Sequence, residues 1–182
     1  GAEPFFGYNI VDYIYIYEAL PPGSRVPNAA LTGVDYNQIL DRLNGKHYVD
    51  DLGVKEFWLF GYHTNLISPA ESIMSSPVAE LQGGNSMTKY NNGYVLYNYN
   101  YGRDATEMVH NHGHHFETAF EYVNYVQDGN LTLFRDKFRN TGRCGDTHSP
   151  PNVDRACGYC WYDMTPVACD IEDWKPSGGT TK

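Results

Sequence analysis

Histidines are concentrated in one stretch of the chain, from Arg103 to Gln127. Four of the seven histidines lie there, at positions 110, 112, 114 and 115. The apolar spacing of the stretch predicts a helix. His110 and His114 are four residues apart, so both imidazoles should project from adjacent turns of one helix face, where they can bind the same ion. We therefore predict a metal site here, with Zn²⁺ or another divalent metal as the cofactor.

A complete site needs further ligands, and two residues outside this histidine pair are candidates. His148 lies in CGDTHSPPN, where two prolines hold the backbone extended and a loop can present the ring to the helix. Glu117 lies one turn beyond His114, as a ligand or as an acceptor that fixes an imidazole tautomer, and Glu71 and Glu107 could serve similarly. The ordinary alternative is a solvated stripe of Arg, Glu and His, whose pairs contribute only about 0.2–0.5 kcal/mol each.

The helical wheel separates this metal-binding stripe from an apolar face. The apolar face is expected to enter the core: Ala105, Met108, Val109, Phe116, Ala119, Phe120 and Val123. His112 falls on the apolar side, where a hydrogen-bonded core histidine is expected rather than a ligand. His115 lies near the edge and is expected to be exposed.

The stretch VHNHGHHFE resembles the HExxH motif of the zincin metallopeptidases. In that family, the glutamate after the first histidine takes a proton from metal-bound water, and Asn111 stands in its place. An amide cannot take that proton, so we expect no standard peptidase activity, and weak activity in Asn111→Glu only if the metal and the cleft are intact. Whether the domain is an enzyme stays open; the candidates for a replacement base are Glu71, Glu107 and Glu117.

The elements that position this helix are predicted from the preceding sequence. Residues 8–17, YNIVDYIYIY, alternate aromatic and β-branched side chains and predict a strand. Asp35 can cap a helix that ends near Asn44-Gly45, and residues 54–62, VKEFWLFGY, predict a second strand. Such a unit normally closes as a right-handed crossover, so we expect these two strands to lie parallel in one sheet.

A third strand is predicted at residues 94–101, YVLYNYNY, directly before the histidine helix. Residues 21–33 and 63–82 are expected to be irregular, because prolines interrupt them. The resulting order is β, α, β, β, α. The zincin half-domain similarly places a short sheet and a helix ahead of its metal-bearing helix, and this resemblance covers roughly residues 8–127.

The predicted fold class is therefore α+β: a small mixed sheet with a βα crossover unit and a long histidine-bearing helix, zincin-like. The 182 residues suit one domain. We expect residues 1–127 to form the sheet and helices, and residues 128–182 to form a loop-rich, cysteine-rich region stapled by disulfides.

Four cysteines lie in the last third of the chain: Cys144, Cys157, Cys160 and Cys169. Such clustering favours disulfides and an oxidising, extracellular location, with three pairings left open. The Cys157–Cys160 pair also fits a zinc knuckle, but zinc ribbons usually combine two such pairs. Asn130 begins an Asn-Leu-Thr sequon that predicts an exposed, glycosylated loop. A short helix is expected at residues 131–138.

The formal net charge of −9 argues against a nucleic-acid partner, because phosphate binding depends on clustered Lys and Arg. No run approaches the roughly 18 apolar residues of a membrane span. The chain opens at GAEPFFGY without a signal-like segment, so we expect a mature or trimmed protein.

Four blocks are similar to a group of uncharacterised secreted bacterial proteins: VKEFWLFGYHTNLISPAES, VLYNYNYGRDATEMVHNHGHHFE, THSPPN and DIEDW. The resemblance implies that the blocks belong to one domain, and it carries no activity. Members can continue past DIEDW, which leaves open whether this chain is a complete mature protein.

The sequence therefore favours a secreted metal-binding domain of zincin-like type. One alternative is an extracellular structural or adhesive protein that self-assembles by strand exchange through residues 8–17. Another is a carbohydrate-binding module that stacks sugar rings on Trp58, Trp161 and Trp174.

Overall fold

The histidine-bearing segment follows a set of short strands and one short helix. The computed structural model describes residues 7–25, 32–61, 64, 67–77, 87–129, 147 and 148. In these ranges the elements are β1 (Pro22–Arg25), β2 (Thr32–Val34), α1 (Tyr36–Leu43), a π-helical turn (His47–Asp51), β3 (Glu56–Gly61), β4 (Ser72–Ser75), β5 (Tyr94–Asn100) and α2 (Ala105–Asp128). The fold is mixed α and β, with small sheets.

Helix α1 forms where the sequence predicts it. The Asp35 side chain accepts a hydrogen bond from the Gln38 backbone N–H at 3.1 Å, which caps the first turn. At the other end, Asn44 adopts the left-handed conformation with φ of 55°, one that asparagine tolerates better than most residues. The predicted start and end of this helix are confirmed.

Strand β5 is the centre of the larger sheet. Within the described residues the strand order is β3-β5-β4, with β3 parallel and β4 antiparallel to β5. The strands predicted at 54–62 and 94–101 are confirmed as β3 and β5. The parallel pair is therefore formed by these two strands, and the expectation that residues 8–17 lie in the same sheet as a strand parallel to β3 is wrong.

Each face of this sheet packs against one helix. Alternate β5 side chains point to opposite faces, so Leu96 contacts the α1 side while Val95 and Tyr97 contact the α2 side. The α1 side buries Ile39, Leu40, Val49 and Ile73 around Leu96. The α2 side packs Trp58, Met74 and Met108 against Val95, Tyr97 and Tyr99. Helix α2 is thus seated directly on β5 and β4.

Residues 8–17 do not form the predicted strand. The segment has no regular secondary structure, and several of its side chains are exposed, with Tyr17 at 92%. It contacts the rest of the molecule through side chains: Tyr8 packs on Trp58, and Asp12 accepts a hydrogen bond from the Tyr48 hydroxyl. A β-propensity pattern yields a strand only where a ladder partner is available, and the central strand here pairs with β3 and β4.

Two stretches that were expected to be irregular contain strands. Residues 21–33 include β1 and most of β2, which pair antiparallel, and residues 63–82 include β4. Both predictions of loop were wrong in these places. Strand β4 has only four residues and follows a proline-containing segment, so its sequence lacks the alternating pattern that identifies longer strands.

Helix α2 is confirmed, but its buried face was predicted incorrectly. Val109 and Phe116 are 74% and 59% exposed, while Asn111 is fully buried and Glu107 is 5% exposed. Met108 does pack against the sheet as expected. Polar residues of α2 face the sheet instead, because the sheet offers them polar partners; the Asn98 carbonyl, for example, accepts a hydrogen bond from Asn111.

Several predictions fall outside the described residues. They concern the four cysteines, the Asn130 sequon, the helix at 131–138, and Trp161 and Trp174. The division into residues 1–127 and 128–182 also stays a prediction.

Among the described residues, no helix is both long and apolar enough to cross a membrane.

Candidate metal centre

Helix α2, the start of β4 and the Thr147-His148 segment meet at one point. There the side chains of Glu71, His110, His114 and His148 each offer one donor atom, and these atoms all lie within 4.8 Å of one another. All four side chains are half-buried. The group can hold a metal ion. It brings together the three histidines that the sequence suggested as ligands, and it adds Glu71.

The donor atoms are crowded around His114 Nε2. This nitrogen lies 3.0 Å from Glu71 Oε2, 3.2 Å from His110 Nε2 and 3.0 Å from His148 Nε2. His110 Nε2 is in turn 3.3 Å from the Glu71 carboxylate. A single N–H can donate to only one of these neighbours. In the absence of a metal, at least some of these close pairs of atoms therefore have no hydrogen bond between them.

The two histidines are positioned by helix α2, whose N-terminus is capped. Asp104 Oδ1 accepts hydrogen bonds from Thr106 N at 2.9 Å and from Thr106 Oγ1 at 2.5 Å, which caps α2 ahead of its first turn. From there the i, i+4 spacing brings the His110 and His114 rings to 4.7 Å between centroids, nearly perpendicular. The two Nε2 atoms converge as a result.

Glu71 reaches the histidines because its backbone is fixed on both sides. The preceding residue, Ala70, donates its N–H to the Tyr36 hydroxyl at 2.9 Å, and that hydroxyl donates to the Ala70 carbonyl at 3.2 Å. The Glu71 carbonyl accepts from Asn98 N at 3.1 Å. Helix α1 and strand β5 together therefore position the only carboxylate that the described residues contribute to the ligand group.

Glu117 lies on the other side of the His114 ring. Its Oε2 is 3.4 Å from His114 Nδ1, and its Oε1 accepts hydrogen bonds from both the backbone N–H and the hydroxyl of Thr147, each at 2.8 Å. A carboxylate at Nδ1 favours a proton on that nitrogen and so leaves Nε2 with a lone pair for a metal. Of the two roles foreseen for Glu117, this geometry matches the tautomer-fixing one, and Glu117 lies outside the ligand group.

These carboxylates change the protonation of the site. Burial disfavours the charged imidazole of His114, but Glu117 and Glu71 outweigh that effect and raise its pKa to about 9. The hydrogen bond with His114 lowers the pKa of Glu71 to about 2, against the opposing effect of burial. In the metal-free protein at neutral pH, a protonated His114 therefore faces an ionised Glu71.

Asn111 points away from this group. It is fully buried, and its Nδ2 donates to the backbone carbonyl of Asn98 in β5 at 3.0 Å. The position that resembles the zincin glutamate thus contacts the sheet backbone. Replacement by glutamate would place a carboxylate against that carbonyl, so the expected gain of weak activity in Asn111→Glu loses its structural basis.

Glu107 also lies apart from the ligands. It is 5% exposed and forms an ion pair with Arg103 at 2.7 Å, four residues earlier on the same helix. The three carboxylates suggested as a replacement base therefore have three different places: Glu71 among the ligands, Glu117 behind His114, and Glu107 in this ion pair.

The remaining helix histidines belong to an aromatic cluster on the β3 side of α2. His112 is half-buried and stacks on Tyr97 with a centroid distance of 4.3 Å, and its Nδ1 donates to the Met108 carbonyl at 2.8 Å. It is a hydrogen-bonded, packed histidine, as the sequence suggests. His115 was expected to be exposed, which is wrong: it is half-buried and hydrogen-bonded to the Tyr97 hydroxyl. Burial lowers its pKa.

Trp58 belongs to the same aromatic cluster. Its ring packs edge-on against Tyr8, Tyr99 and His112, and its Nε1 donates to Glu56 at 2.8 Å. With these contacts the Trp58 side chain is half-buried, and the role suggested for it in stacking on sugars stays a prediction.

Sequence reasoning missed two features of the metal centre. Glu71 was named among the carboxylates that could bind the metal or act as a base, but it could not be placed, since nothing in its neighbourhood indicates that β4 will carry it to α2. Thr147 was not named at all. A signal for its contact does exist, because a glycine inside a helical pattern, here Gly113, often marks a close approach by another segment.

The chain matches no protein-family model, no curated protein and no solved structure in the comparisons made.

Proposed function

We propose that this chain is a metal-binding domain of the cell exterior whose site holds one Zn²⁺ ion through Glu71, His110, His114 and His148. The observation that supports it most is the crowding of three potential acceptors around His114 Nε2 at 3.0–3.2 Å. A proton can serve one of them, whereas a cation at the centre attracts every lone pair of the group.

The donor set favours zinc among the common divalent ions. Magnesium and calcium prefer oxygen ligands alone, whereas three imidazoles and one carboxylate suit zinc and its transition-metal neighbours. Four ligands at 2.0–2.1 Å from zinc form a tetrahedron with edges of about 3.3 Å. Four of the separations between donor atoms, from 3.0 to 3.3 Å, are close to that value.

The extracellular location in this proposal rests on the sequence. Four cysteines in the last third favour an oxidising compartment, and the four blocks named above resemble secreted bacterial proteins. From the resemblance to the zincins, the proposal uses only the arrangement in which a metal-bearing helix follows a small sheet.

The proposal does not include the peptidase reaction of the zincins. A hydrolytic site needs a base beside the metal-bound water, and Asn111 contacts the β5 backbone instead. The other candidate bases already have partners: Glu71 contacts His114, Glu117 accepts from Thr147, and Glu107 pairs with Arg103. We expect no proteolysis of casein by the zinc-loaded protein. Proteolysis that a chelator abolishes would contradict this part of the proposal.

The metal proposal is tested by titrating metal-free protein with Zn²⁺ in a calorimeter. We expect about one zinc per chain. His110→Ala and His114→Ala each remove a ligand, so both should weaken binding by more than about 100-fold, the upper end of the effect of outer-shell changes.

His47→Ala is the matched control for these variants. His47 lies on the π-helical turn, exposed and hydrogen-bonded to Asp51 at 2.8 Å, away from the ligand group. This variant should bind zinc like the wild type. Wild-type protein that binds no zinc, or His110→Ala and His114→Ala variants that bind it unchanged, would overturn the proposal.

A second candidate function, self-assembly by strand addition, is favoured by the N-terminal segment. Residues 8–17 carry a strand-like alternation, and Tyr13 and Tyr15 are 69% and 77% exposed. Among the described residues, no backbone hydrogen bond joins this segment to a strand. Such a segment can pair with the sheet edge of a second copy.

Light scattering over a range of concentrations tests this assembly. Ile14→Pro removes one backbone donor and disfavours a ladder, so it should dissociate any assembly that the wild type forms. Tyr17→Phe, at an exposed ring, is the control and should assemble normally. A wild type that stays monomeric at every concentration would remove this candidate.

A further inference from the structure

Gly113 lies in the middle of α2, where a glycine is costly. Glycine is about 1 kcal/mol less favourable than alanine in a helix interior. A Cβ built on Gly113 would lie 2.7 Å from Thr147 Oγ1 and 3.1 Å from Thr147 Cγ2. Real Cβ atoms essentially never approach at 2.7 Å, so with any larger residue at position 113 the Thr147 side chain would have to shift. The missing side chain therefore makes room for one particular neighbour.

Thr147 is held in that space by Glu117, one turn along the helix. The carboxylate oxygen Oε1 accepts both the backbone N–H and the hydroxyl of Thr147 at 2.8 Å. Charge-assisted hydrogen bonds of this kind are stronger than neutral ones. Two contacts of different type, a steric fit at Gly113 and a paired hydrogen bond at Glu117, thus fix the same residue.

The next residue in the chain is the ligand His148. Once Thr147 is fixed, the His148 ring lies 5.1 Å from the His110 ring between centroids and 4.6 Å from the His114 ring. Glu117 also faces His114 Nδ1 through its second oxygen. One carboxylate therefore contacts both a ligand on the helix and the segment that delivers a ligand from elsewhere in the chain.

We propose that Gly113, Glu117 and Thr147 form a docking site that positions His148 for the metal. This inference rests on the proposed function, since it concerns how that same site acquires its fourth ligand. These three are positioning residues, and none of them contacts the ion. Docking is a property of the metal-free protein, and zinc binding benefits because His148 is already in place.

A double-mutant cycle separates docking from a general effect on the helix. Gly113→Ala should weaken zinc binding by roughly 10–100-fold, as outer-shell changes do. The same change should leave the melting temperature of the metal-free protein equal or higher, because alanine favours the helix. Thr147→Ala removes the atoms that clash, so Gly113→Ala should cause little further loss of zinc affinity in that background.

Thr147→Ser is the conservative control. It keeps the hydroxyl and the backbone N–H that Glu117 accepts, so its zinc affinity should stay within a few-fold of wild type. Hydrogen exchange of the Thr147 amide gives a readout without metal: the amide should be protected in wild type and lose protection in Gly113→Ala.

The outcomes distinguish this inference from the proposal beneath it. Wild-type protein that binds no zinc overturns the proposed function, and this inference with it. Wild-type binding that Gly113→Ala leaves unchanged overturns the docking inference alone. Equal losses from Gly113→Ala with and without Thr147→Ala would also contradict it, because the effect would then be independent of the steric contact.

Discussion

His114 is the residue on which the chemistry of the site depends. Its Nδ1 faces the Glu117 carboxylate, and its Nε2 faces Glu71 and two further imidazoles. Metal binding requires an unprotonated Nε2, so zinc and protons compete for the same atom. Because carboxylates surround the ring, the proton is held unusually firmly in the metal-free protein, with a pKa of about 9.

Zinc binding at pH 8 is therefore expected to release nearly one proton from His114. A histidine with the ordinary pKa of about 6.5 is already neutral at that pH and would release almost none. Below about pH 9, zinc affinity should rise with pH because the competing proton is progressively lost. Calorimetry in buffers of different ionisation enthalpy measures the proton count. Glu117→Gln, which removes one carboxylate beside the ring, should reduce the release, and no release from wild type at pH 8 would contradict this account.

Asn111 has a structural role that its position in the motif conceals. Its amide hydrogen-bonds the Asn98 carbonyl from a fully buried position. A glutamate there would place an unpaired charge against an acceptor. We expect Asn111→Glu to destabilise the fold by about 3 kcal/mol or more.

Urea unfolding of the two proteins measures the effect of Asn111→Glu. Val109→Glu is its matched control, because it introduces the same side chain on the same helix at a residue that is 74% exposed. Its effect should stay within about 0.5 kcal/mol. Equal stability of Asn111→Glu and wild type would show that the buried amide contributes little.

At the level of elements, the site depends on how the start of β4 is attached to α1, which lies on the face of the sheet opposite α2. The Tyr36 hydroxyl of α1 both donates to and accepts from the Ala70 backbone, directly before Glu71. Helix α1 thus holds the backbone next to a residue of the proposed metal site without contributing a ligand. The two helices lie on opposite faces of the sheet, and the start of β4 connects them.

Tyr36→Phe tests this connection. The variant leaves the backbone N–H of Ala70 without its acceptor, so we expect a loss of about 1–3 kcal/mol in the free energy of unfolding. Zinc affinity should also fall, because Glu71 is less firmly positioned. Tyr17→Phe, which removes a hydroxyl from a ring that is 92% exposed, should change neither quantity. A Tyr36→Phe variant with normal zinc affinity would show that Glu71 is positioned by β5 alone.

For the whole molecule, local sequence signals predicted some features well and long-range partners poorly. Asp35 and Asn44 specify the ends of α1 through their own side chains and backbone, so that helix was predicted correctly. Strands β3 and β5 were also recognised from their apolar runs. Residues 8–17 have an equally strong pattern but lack a ladder, because pairing is decided by distant parts of the chain.

In the candidate site, too, local features were predicted and long-range contacts were not. The i, i+4 spacing of His110 and His114 follows from helix geometry and is visible in the sequence. His148 was suggested by its proline-rich setting. Glu71 could not be assigned as a ligand, since its approach depends on β4 pairing with β5 and on α2 crossing both. The buried face of α2 was misjudged because hydrophobicity ignores the polar partners that the sheet supplies.

The central claim is that zinc is bound by three imidazoles and one carboxylate, and X-ray absorption at the zinc edge of the zinc-loaded protein tests it most directly. The account predicts four nitrogen or oxygen neighbours at about 2.0–2.1 Å, with the outer-shell scattering of imidazole rings. His148→Ala should lose part of that imidazole scattering. A spectrum dominated by sulfur at about 2.3 Å would place the ion on the cysteines and contradict the assignment of Glu71, His110, His114 and His148.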